Sequence, residues 1–229
     1  MLDVTHFGGH LVARTREGPH GFLVEVAVPP AARAGHRLPG QYCELQVGDA
    51  SGFFALTRAP GGEGPFAFYV RDNGGASGAL VTAPLGTNVT VSAPRGQGFD
   101  VAAALAHGGP VHVLASGGGY SGVRSALLAL VGAGCRPSIY LGFRHRDDVI
   151  FREDLDWLRA VACPLEVCLS QPDEDWSGAR GHVQEALARD APDLRDGWVI
   201  ACGQPEMQAD TARRCAALGL PEHRFLTNY

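Results

Sequence analysis

The chain has 229 residues, a formal net charge of −5, 45% hydrophobic side chains and 19% charged ones. This composition is that of a globular protein with enough apolar material for two cores. The negative charge and the scattered arginines argue against nucleic-acid binding, which requires clustered cations.

The N-terminal sequence MLDVTHFGGHLVARTREGPHG has no apolar core of signal-peptide length. The longest apolar stretch, around residues 125–133, is too short to cross a bilayer. We therefore expect a cytoplasmic protein that does not contact membranes. The six cysteines include no C-x-x-C pair, so we predict six free thiols and no metal site.

The first hundred residues contain short apolar or alternating runs separated by clusters of glycine and proline. The predicted strands are residues 22–28 (FLVEVAV), 41–47 (QYCELQV), 53–57, 65–71 and 87–93. Short strands at this spacing predict an antiparallel barrel or sandwich.

The pattern changes near Val101, after which apolar strands alternate with amphipathic helices. The predicted strands are residues 110–116, 137–143, 164–170, 197–203 and 223–229, and the predicted helices are 123–131, 152–161, 181–189 and 206–218. This alternation predicts a doubly wound parallel sheet. We accordingly divide the chain into domains 1–103 and 104–229.

A glycine-rich turn joins the first of these strands to the first helix. The strand PVHVLAS runs into SGGGYSG and then into VRSALLAL. Glycines at this place let backbone N–H groups close on a pyrophosphate, and the helix dipole favours its charge. An ordinary strand–helix turn explains the glycines equally well, so the motif is a hypothesis of nucleotide binding.

Two segments of the second half resemble the family of ferredoxin–NADP reductase-like proteins. ASGGGYSGVRS resembles the A-G-G-T-G-I-A-P-x-R-S turn, and ACGQPEM resembles the C-G-x-x-x-M signature. The resemblance implies that these residues bind the nicotinamide dinucleotide: Ser116, Gly117, Gly118, Gly119, Ser121, Cys202, Gly203 and Met207.

Segments of the first half resemble the flavin-binding barrel of the same family. PGQY resembles the P-G-Q-[YF] strand opening and implies a role for Tyr42. NGGASGAL resembles the G-x-x-S-x-x-L flavin-phosphate loop and implies roles for Gly75, Ala76 and Ser77. PLGTNVTVSAPRGQGF resembles the strand that closes the barrel. The ordered set implies a six-stranded antiparallel barrel that binds FAD, with FMN the second choice, followed by an NAD(P)-binding domain.

One segment departs from the family pattern. GFFALTRAP stands where R-x-Y-[ST] is expected. Gly52 takes the position of the arginine, Phe54 that of the tyrosine and Ala55 that of the serine or threonine. Phe54 keeps an aromatic face for the flavin. Gly52 cannot neutralise a pyrophosphate, and we predict that Arg58 supplies the missing charge.

The resemblance also implies two residues at the hydride-transfer point. Cys202 lies near the nicotinamide, where a polarisable thiol can position the ring, although a cysteine at a strand end is commonly a packing residue. Tyr229, the last residue, is placed to cover the flavin face.

Arg144 follows the second strand of the parallel sheet, where an acidic residue would indicate NAD. An arginine suits the 2′-phosphate of NADP, so we slightly favour NADP over NAD. A solvated loop arginine is the alternative.

We therefore predict an FAD-dependent NAD(P)H oxidoreductase that passes electrons to an unidentified acceptor, which can be a separate protein. The alternative is a flavin-free, non-catalytic relative that serves as a binding or regulatory subunit. Gly52 and Ala55 favour this alternative, whereas the phosphate turn, Ser77 and Cys202 favour the enzyme.

Overall fold

The computed structural model describes residues 5–228. Twelve strands within this range form two six-stranded sheets, one antiparallel and one parallel. The predicted two-part fold class is confirmed. No helix among the described residues is long and apolar enough to cross a membrane.

The antiparallel sheet has the strand order β4-β3-β6-β1-β2-β5. Its strands are β1 (His6–Arg16), β2 (Gly21–Ala27), β3 (Tyr42–Val47), β4 (Ala50–Ala55), β5 (Phe66–Arg71) and β6 (Asn88–Ser92). A bridge between Leu56 and Phe68 joins the two edges, so the sheet forms a nearly closed barrel. Alternate residues such as Val24, Leu45 and Phe68 fill its interior.

Two helices accompany the barrel, a five-residue α1 (Pro30–Ala34) and α2 (Gly75–Thr82). α2 packs against β4, β3 and β5 and buries Leu80 in the barrel core. It begins after Gly74 and Gly75, whose φ angles of 77° and 55° lie in the left-handed region where glycine is favoured.

The parallel sheet has the strand order β10-β9-β8-β7-β11-β12. Its strands are β7 (Val111–Ser116), β8 (Ser138–Phe143), β9 (Leu165–Leu169), β10 (Ala179–Arg180), β11 (Trp198–Cys202) and β12 (Phe225–Leu226). The helices are α3 (Val101–His107), α4 (Gly119–Gly132), α5 (Arg152–Ala160), α6 (Val183–Asp190) and α7 (Pro205–Ala217). The order reverses between β7 and β11, and a ligand crevice is expected at the carboxyl ends of these strands.

The barrel and the α/β part are held together by polar contacts. Glu17, in the β1–β2 turn, accepts a hydrogen bond from the backbone N–H of Phe151. Arg124 of α4 pairs with Asp154 and also donates to the carbonyl of Thr57 in the barrel, at 3.2 Å. The Tyr69 ring of β5 contacts the Phe151 ring, with centroids 5.8 Å apart.

Candidate active site

A cleft of about 1150 Å³ opens between the outer wall of the barrel and the carboxyl ends of β7 and β11. Ala55, Tyr69 and Arg71 line it on the barrel side. On the other side it is lined by the glycine-rich turn, by Arg144 and by the start of α7. Ligand pockets commonly occupy about 300–1000 Å³, so the cleft has room for a large ligand.

The turn between β7 and α4 is shaped to leave backbone uncovered. Gly117 has a φ of 52°, and a Cβ atom at Gly117 or Gly118 would meet nothing within 4 Å. A Cβ atom at Gly119 would instead overlap the carbonyl oxygen of Cys202. The first two glycines therefore present open backbone to the cleft, whereas Gly119 is required by the close approach of α4 to the end of β11.

The other residues predicted for the nicotinamide dinucleotide lie around this turn. Ser121 donates to the carbonyl of Gly118 at 2.7 Å, which fixes the turn. A Cβ atom at Gly203 would overlap Ser116 Oγ and crowd Met207 Cε, so both side chains would have to move. The structure thus brings Ser116, Gly203 and Met207 into one contact at the wall of the cleft.

Cys202 ends β11 and is 5% exposed. Its burial raises the pKa of the thiol to about 11, so the sulfur is protonated at neutral pH. A Cβ atom at Gly122 would lie 2.8 Å from the Cys202 sulfur, so the first turn of α4 packs directly on the thiol. Cys202 is placed to contact a ring in the cleft as a neutral, polarisable group rather than as a thiolate.

Arg144 lies in the cleft wall beyond β8. Its Nε donates to the Gln171 side chain at 2.9 Å, and its guanidinium is otherwise exposed. His145 contacts the Gln171 carbonyl at 2.8 Å. Gln171 therefore orients the loop that carries Arg144 toward the mouth of the cleft.

The two phenylalanines of β4 point to opposite sides of the barrel wall. Phe54 packs against the barrel core, and neither phenylalanine lines the cleft. Phe53 is on the same face as Ala55 and is 60% exposed. Its ring makes an edge contact with Tyr42, with centroids 5.8 Å apart, and the Arg95 guanidinium lies 5.7 Å from its centroid. The exposed aromatic of this strand is Phe53, whereas the family motif aligns with Phe54.

The loop before α2 is shaped by its own side chains. The Ser77 hydroxyl donates to the Gly74 carbonyl at 2.8 Å and accepts from the Asn73 N–H at 3.1 Å. The backbone at Gly75 is uncovered, since a Cβ atom at this residue would meet no heavy atom within 4 Å. The Asp72 carboxylate accepts from the Gly74 N–H at 3.3 Å, which adds negative charge to the loop.

Two cations of the barrel differ in their availability. Arg58 pairs with Glu25 and donates to the Pro65 carbonyl, and it does not line the cleft. Arg71 ends β5, immediately before the Asp72–Gly75 loop, and lines the cleft. Within residues 5–228 its guanidinium has no hydrogen bond or ion pair. In the sequence, Arg71 could have been recognised as a basic residue at the end of a strand, three residues before the Gly-Gly pair.

The expected arginine position offers little space. A Cβ atom at Gly52 would lie 3.2 Å from the Phe54 ring and 3.3 Å from the Ala76 side chain. A long side chain at residue 52 would have to displace one of them. Tyr229, the other predicted catalytic residue, lies outside the described residues.

Comparison with known proteins finds chains that are similar to this one. Residues 113–213 match the family model of the oxidoreductase NAD-binding domain. The chain is 27% identical over 233 residues to CDP-6-deoxy-L-threo-D-glycero-4-hexulose-3-dehydrase reductase of Yersinia pseudotuberculosis, covering 99% of this chain and 67% of the relative. It is 28% identical over 206 residues to fruit protein pKIWI502 of Actinidia deliciosa, covering 82% of this chain and 65% of the relative. The chain thus spans about two thirds of the length of these relatives.

Solved structures share the fold over nearly the whole chain. The ferredoxin reductase in carbazole 1,9a-dioxygenase superposes with a TM-score of 0.84 at 17% identity, covering 98% of this chain and 69% of that one. The cytochrome P450 reductase of Amycolatopsis also has a TM-score of 0.84, at 18% identity, with the same coverage of both chains.

The chain is similar to ferredoxin reductase-like proteins over both of its parts, in agreement with its motifs. Its residues 113–213 match the oxidoreductase NAD-binding domain.

Proposed function

We propose that this protein is an FAD-dependent NAD(P)H oxidoreductase. The observation that carries the proposal is the shared cleft, which brings the open glycine turn, the Cys202 thiol and the barrel wall at Ala55 around one cavity of about 1150 Å³. A nicotinamide held by the turn and a flavin held by the barrel would meet there. FAD supplies the hydride and electron chemistry when it is bound, and the protein supplies position and electrostatics.

The residues on the barrel side fit a flavin ring better than they fit its phosphates. Phe53 and Tyr42 offer aromatic surface, and Ala55 and Tyr69 line the cleft. The glycine loop before α2 offers open backbone, and a nest of N–H groups favours anions. Because Gly52 lacks a cation and Arg58 is engaged elsewhere, Arg71 is the barrel residue that would balance the diphosphate charge.

The electron acceptor is proposed to be a separate protein. Two structural neighbours are named as the reductase of a carbazole dioxygenase and a cytochrome P450 reductase. These names support a reductase that delivers electrons to an oxygenase or a similar redox partner. Reduction of purified candidate acceptors, followed by their absorbance in the presence of NAD(P)H and this protein, tests the proposal.

The alternative is a flavin-free binding or regulatory protein. The closed space at Gly52 and the Asp72 carboxylate in the α2 loop favour it, because both reduce attraction for a diphosphate. The absorbance spectrum of protein purified with added FAD separates the two proposals. A flavin spectrum that is bleached anaerobically by NADH or NADPH supports the enzyme. Protein that remains colourless with excess FAD supports the alternative.

The role of Arg71 is tested by two matched charge deletions. Arg71→Ala should weaken FAD binding about tenfold or more, because a charge-assisted contact contributes about 1.5–3 kcal/mol. Arg58→Ala removes the same charge from a side chain that does not line the cleft, and it should leave FAD affinity unchanged. Titration of flavin fluorescence measures both. Equal effects in the two variants would contradict the assignment, and a loss confined to NAD(P)H binding would assign Arg71 to the other diphosphate.

A further inference from the structure

Asn228 is a buried polar residue at the bottom of the cleft, and the established motifs give it no role. It follows β12 and is 4% exposed. The Gln97 side chain donates to the carbonyl of Thr227 at 3.3 Å, so the segment that carries Asn228 lies against the loop after β6. Asn228 therefore lies where the barrel, the α/β part and the cleft meet.

The carboxamide of Asn228 connects the barrel to the Cys202 thiol. Its Nδ2 donates to the Gly40 carbonyl at 3.5 Å, and its Oδ1 accepts from the Cys202 sulfur at 3.5 Å. A carbonyl accepts only, so Gly40 requires the amide nitrogen on its side. The amide oxygen must then face Cys202, and the orientation of the side chain is determined.

The same contact determines the orientation of the thiol. A protonated sulfur can donate one hydrogen bond, and Asn228 Oδ1 is its acceptor. Gly122 confines the group from the other side, because a Cβ atom there would lie 2.8 Å from the sulfur and 3.6 Å from Asn228 Nδ2. With its proton directed at Asn228, the sulfur presents its polarisable lone pairs to the cleft.

We propose that Asn228 is a positioning residue that holds the Cys202 thiol in one orientation at the nicotinamide site and links that site to Gly40 of the barrel. This inference rests on the proposed function only for the identity of the ring in the cleft. The orientation of the thiol is a property of the protein itself and can be measured without any cofactor.

The test is the rate at which iodoacetamide alkylates Cys202 in the full-length protein, read from the Cys202 peptide by mass spectrometry across pH. Asn228→Ala removes the acceptor, and alkylation of Cys202 should accelerate about fivefold or more. Asn228→Asp places a carboxylate beside the sulfur, which raises the pKa of the thiol and should slow alkylation below the Ala variant at every pH. Asn228→Ser retains an acceptor and should stay near the wild-type rate.

Asn88→Ala, an exposed asparagine in β6, is the matched control and should leave the rate unchanged. Equal acceleration in the Ala, Asp and Ser variants would overturn the proposal, because it would show that Asn228 merely covers the thiol. An unchanged rate in the Ala variant would overturn it as well. Protection of wild-type Cys202 by NADPH tests the proposed function separately, since the comparison of variants uses no nucleotide.

Discussion

Adjacent residues of one strand have opposite environments, and in β4 this alternation decides which side chain can reach a ligand. Phe53 and Phe54 are chemically identical, yet one lies on the outer wall and the other packs on the barrel core. Side chains of a strand alternate between its two faces, so only one of the two rings faces away from the barrel core. We propose that the exposed ring, Phe53, is the one that stacks on a flavin.

Replacement of Phe53 tests this assignment. Phe53→Ser should weaken FAD binding about two- to tenfold, because an aromatic pair contributes about 0.5–1.5 kcal/mol beyond its buried area. Folding stability should change little, since the ring is 60% exposed. Leu85→Ser is the matched control, because Leu85 is 61% exposed and lies in the turn between α2 and β6. Fluorescence titration measures affinity, and an equal loss in both variants would remove Phe53 from the site.

Arg144 is the residue that we propose to favour NADPH over NADH. Arg144→Ala should reduce affinity for NADPH more than for NADH, because the guanidinium has a phosphate to bind only in NADPH. Arg136→Ala, an exposed arginine that does not line the cleft, should affect neither. Dissociation constants for both cofactors measure the difference. A parallel loss for NADPH and NADH would show that Arg144 does not contact the 2′-phosphate.

At the scale of elements, a substitution at the start of α4 can change NAD(P)H binding without lowering folding stability. Gly118 has a φ of −62° and open space at its Cβ position. Gly118→Ala should therefore keep or raise stability, by about 0.4–1 kcal/mol, through the unfolded state. The added methyl group would occupy the space of the pyrophosphate and should lower NAD(P)H affinity.

The other end of the same helix supplies the control. Gly132 also has open space at its Cβ position, and it lies outside the cleft. Gly132→Ala should raise the midpoint of thermal unfolding in a similar way and leave NAD(P)H affinity at the wild-type value. If Gly118→Ala binds NAD(P)H as tightly as Gly132→Ala does, the turn is structural and the phosphates lie elsewhere.

The elements that the sequence predicted are those with a clear hydrophobic period. Five of the six parallel strands and α4–α7 lie close to their predicted places, whereas the two-residue strand β10 was not predicted. β1 was missed because HFGGHLVARTR mixes glycines and charges, and its residues pair on both sides with β2 and β6 instead of forming an apolar run. α2 was missed because GASGALVT has the composition of a turn, and packing against the barrel stabilises it.

The sequence predicted the parts of the candidate site that are formed by backbone. It did not predict the parts that depend on which way a side chain points. The glycines of residues 117–119 were found because their spacing between a strand and a helix has a physical reason. The residues that we propose in addition, Phe53, Arg71 and Asn228, were not predicted, because the face of a strand and the path of the C-terminal segment depend on tertiary contacts. Arg58 was predicted to balance the phosphate charge. In the structure it pairs with Glu25 of β2, and no sequence pattern indicates this pairing.

At the scale of the whole molecule, Glu17 joins the two parts through the N–H of Phe151, whose φ of 51° lies in the left-handed region. Burial raises the pKa of the Glu17 carboxyl above its usual value of 4.5. A carboxyl with a raised pKa binds more protons in the folded state, so its contribution to stability is present at low pH. That contribution decreases as the pH rises through the unfolded and folded pKa values.

Two substitutions of Glu17 should therefore act in different directions. Glu17→Gln keeps an acceptor for Phe151 and removes the cost of a buried charge, so thermal stability at pH 7 should be equal or higher and its decline with pH smaller. Glu17→Ala leaves the N–H without its acceptor, which should cost about 1–3 kcal/mol. Unfolding midpoints between pH 4 and 8 measure both. A Gln variant as unstable as the Ala variant would show that the charge itself is required.

The burial of the thiols makes this molecule convenient for distance measurements. The structure contains six free cysteines, five of them buried, and Cys135 alone is partly exposed at the end of α4. Burial raises the pKa of the Cys43, Cys168 and Cys215 thiols to about 12, so they are poor targets for alkylating reagents. A maleimide dye or spin label should therefore attach to Cys135 of the wild-type chain first. A second reporter introduced on the barrel would then measure the distance across the cleft, and its change on addition of nucleotide, without prior removal of the other cysteines.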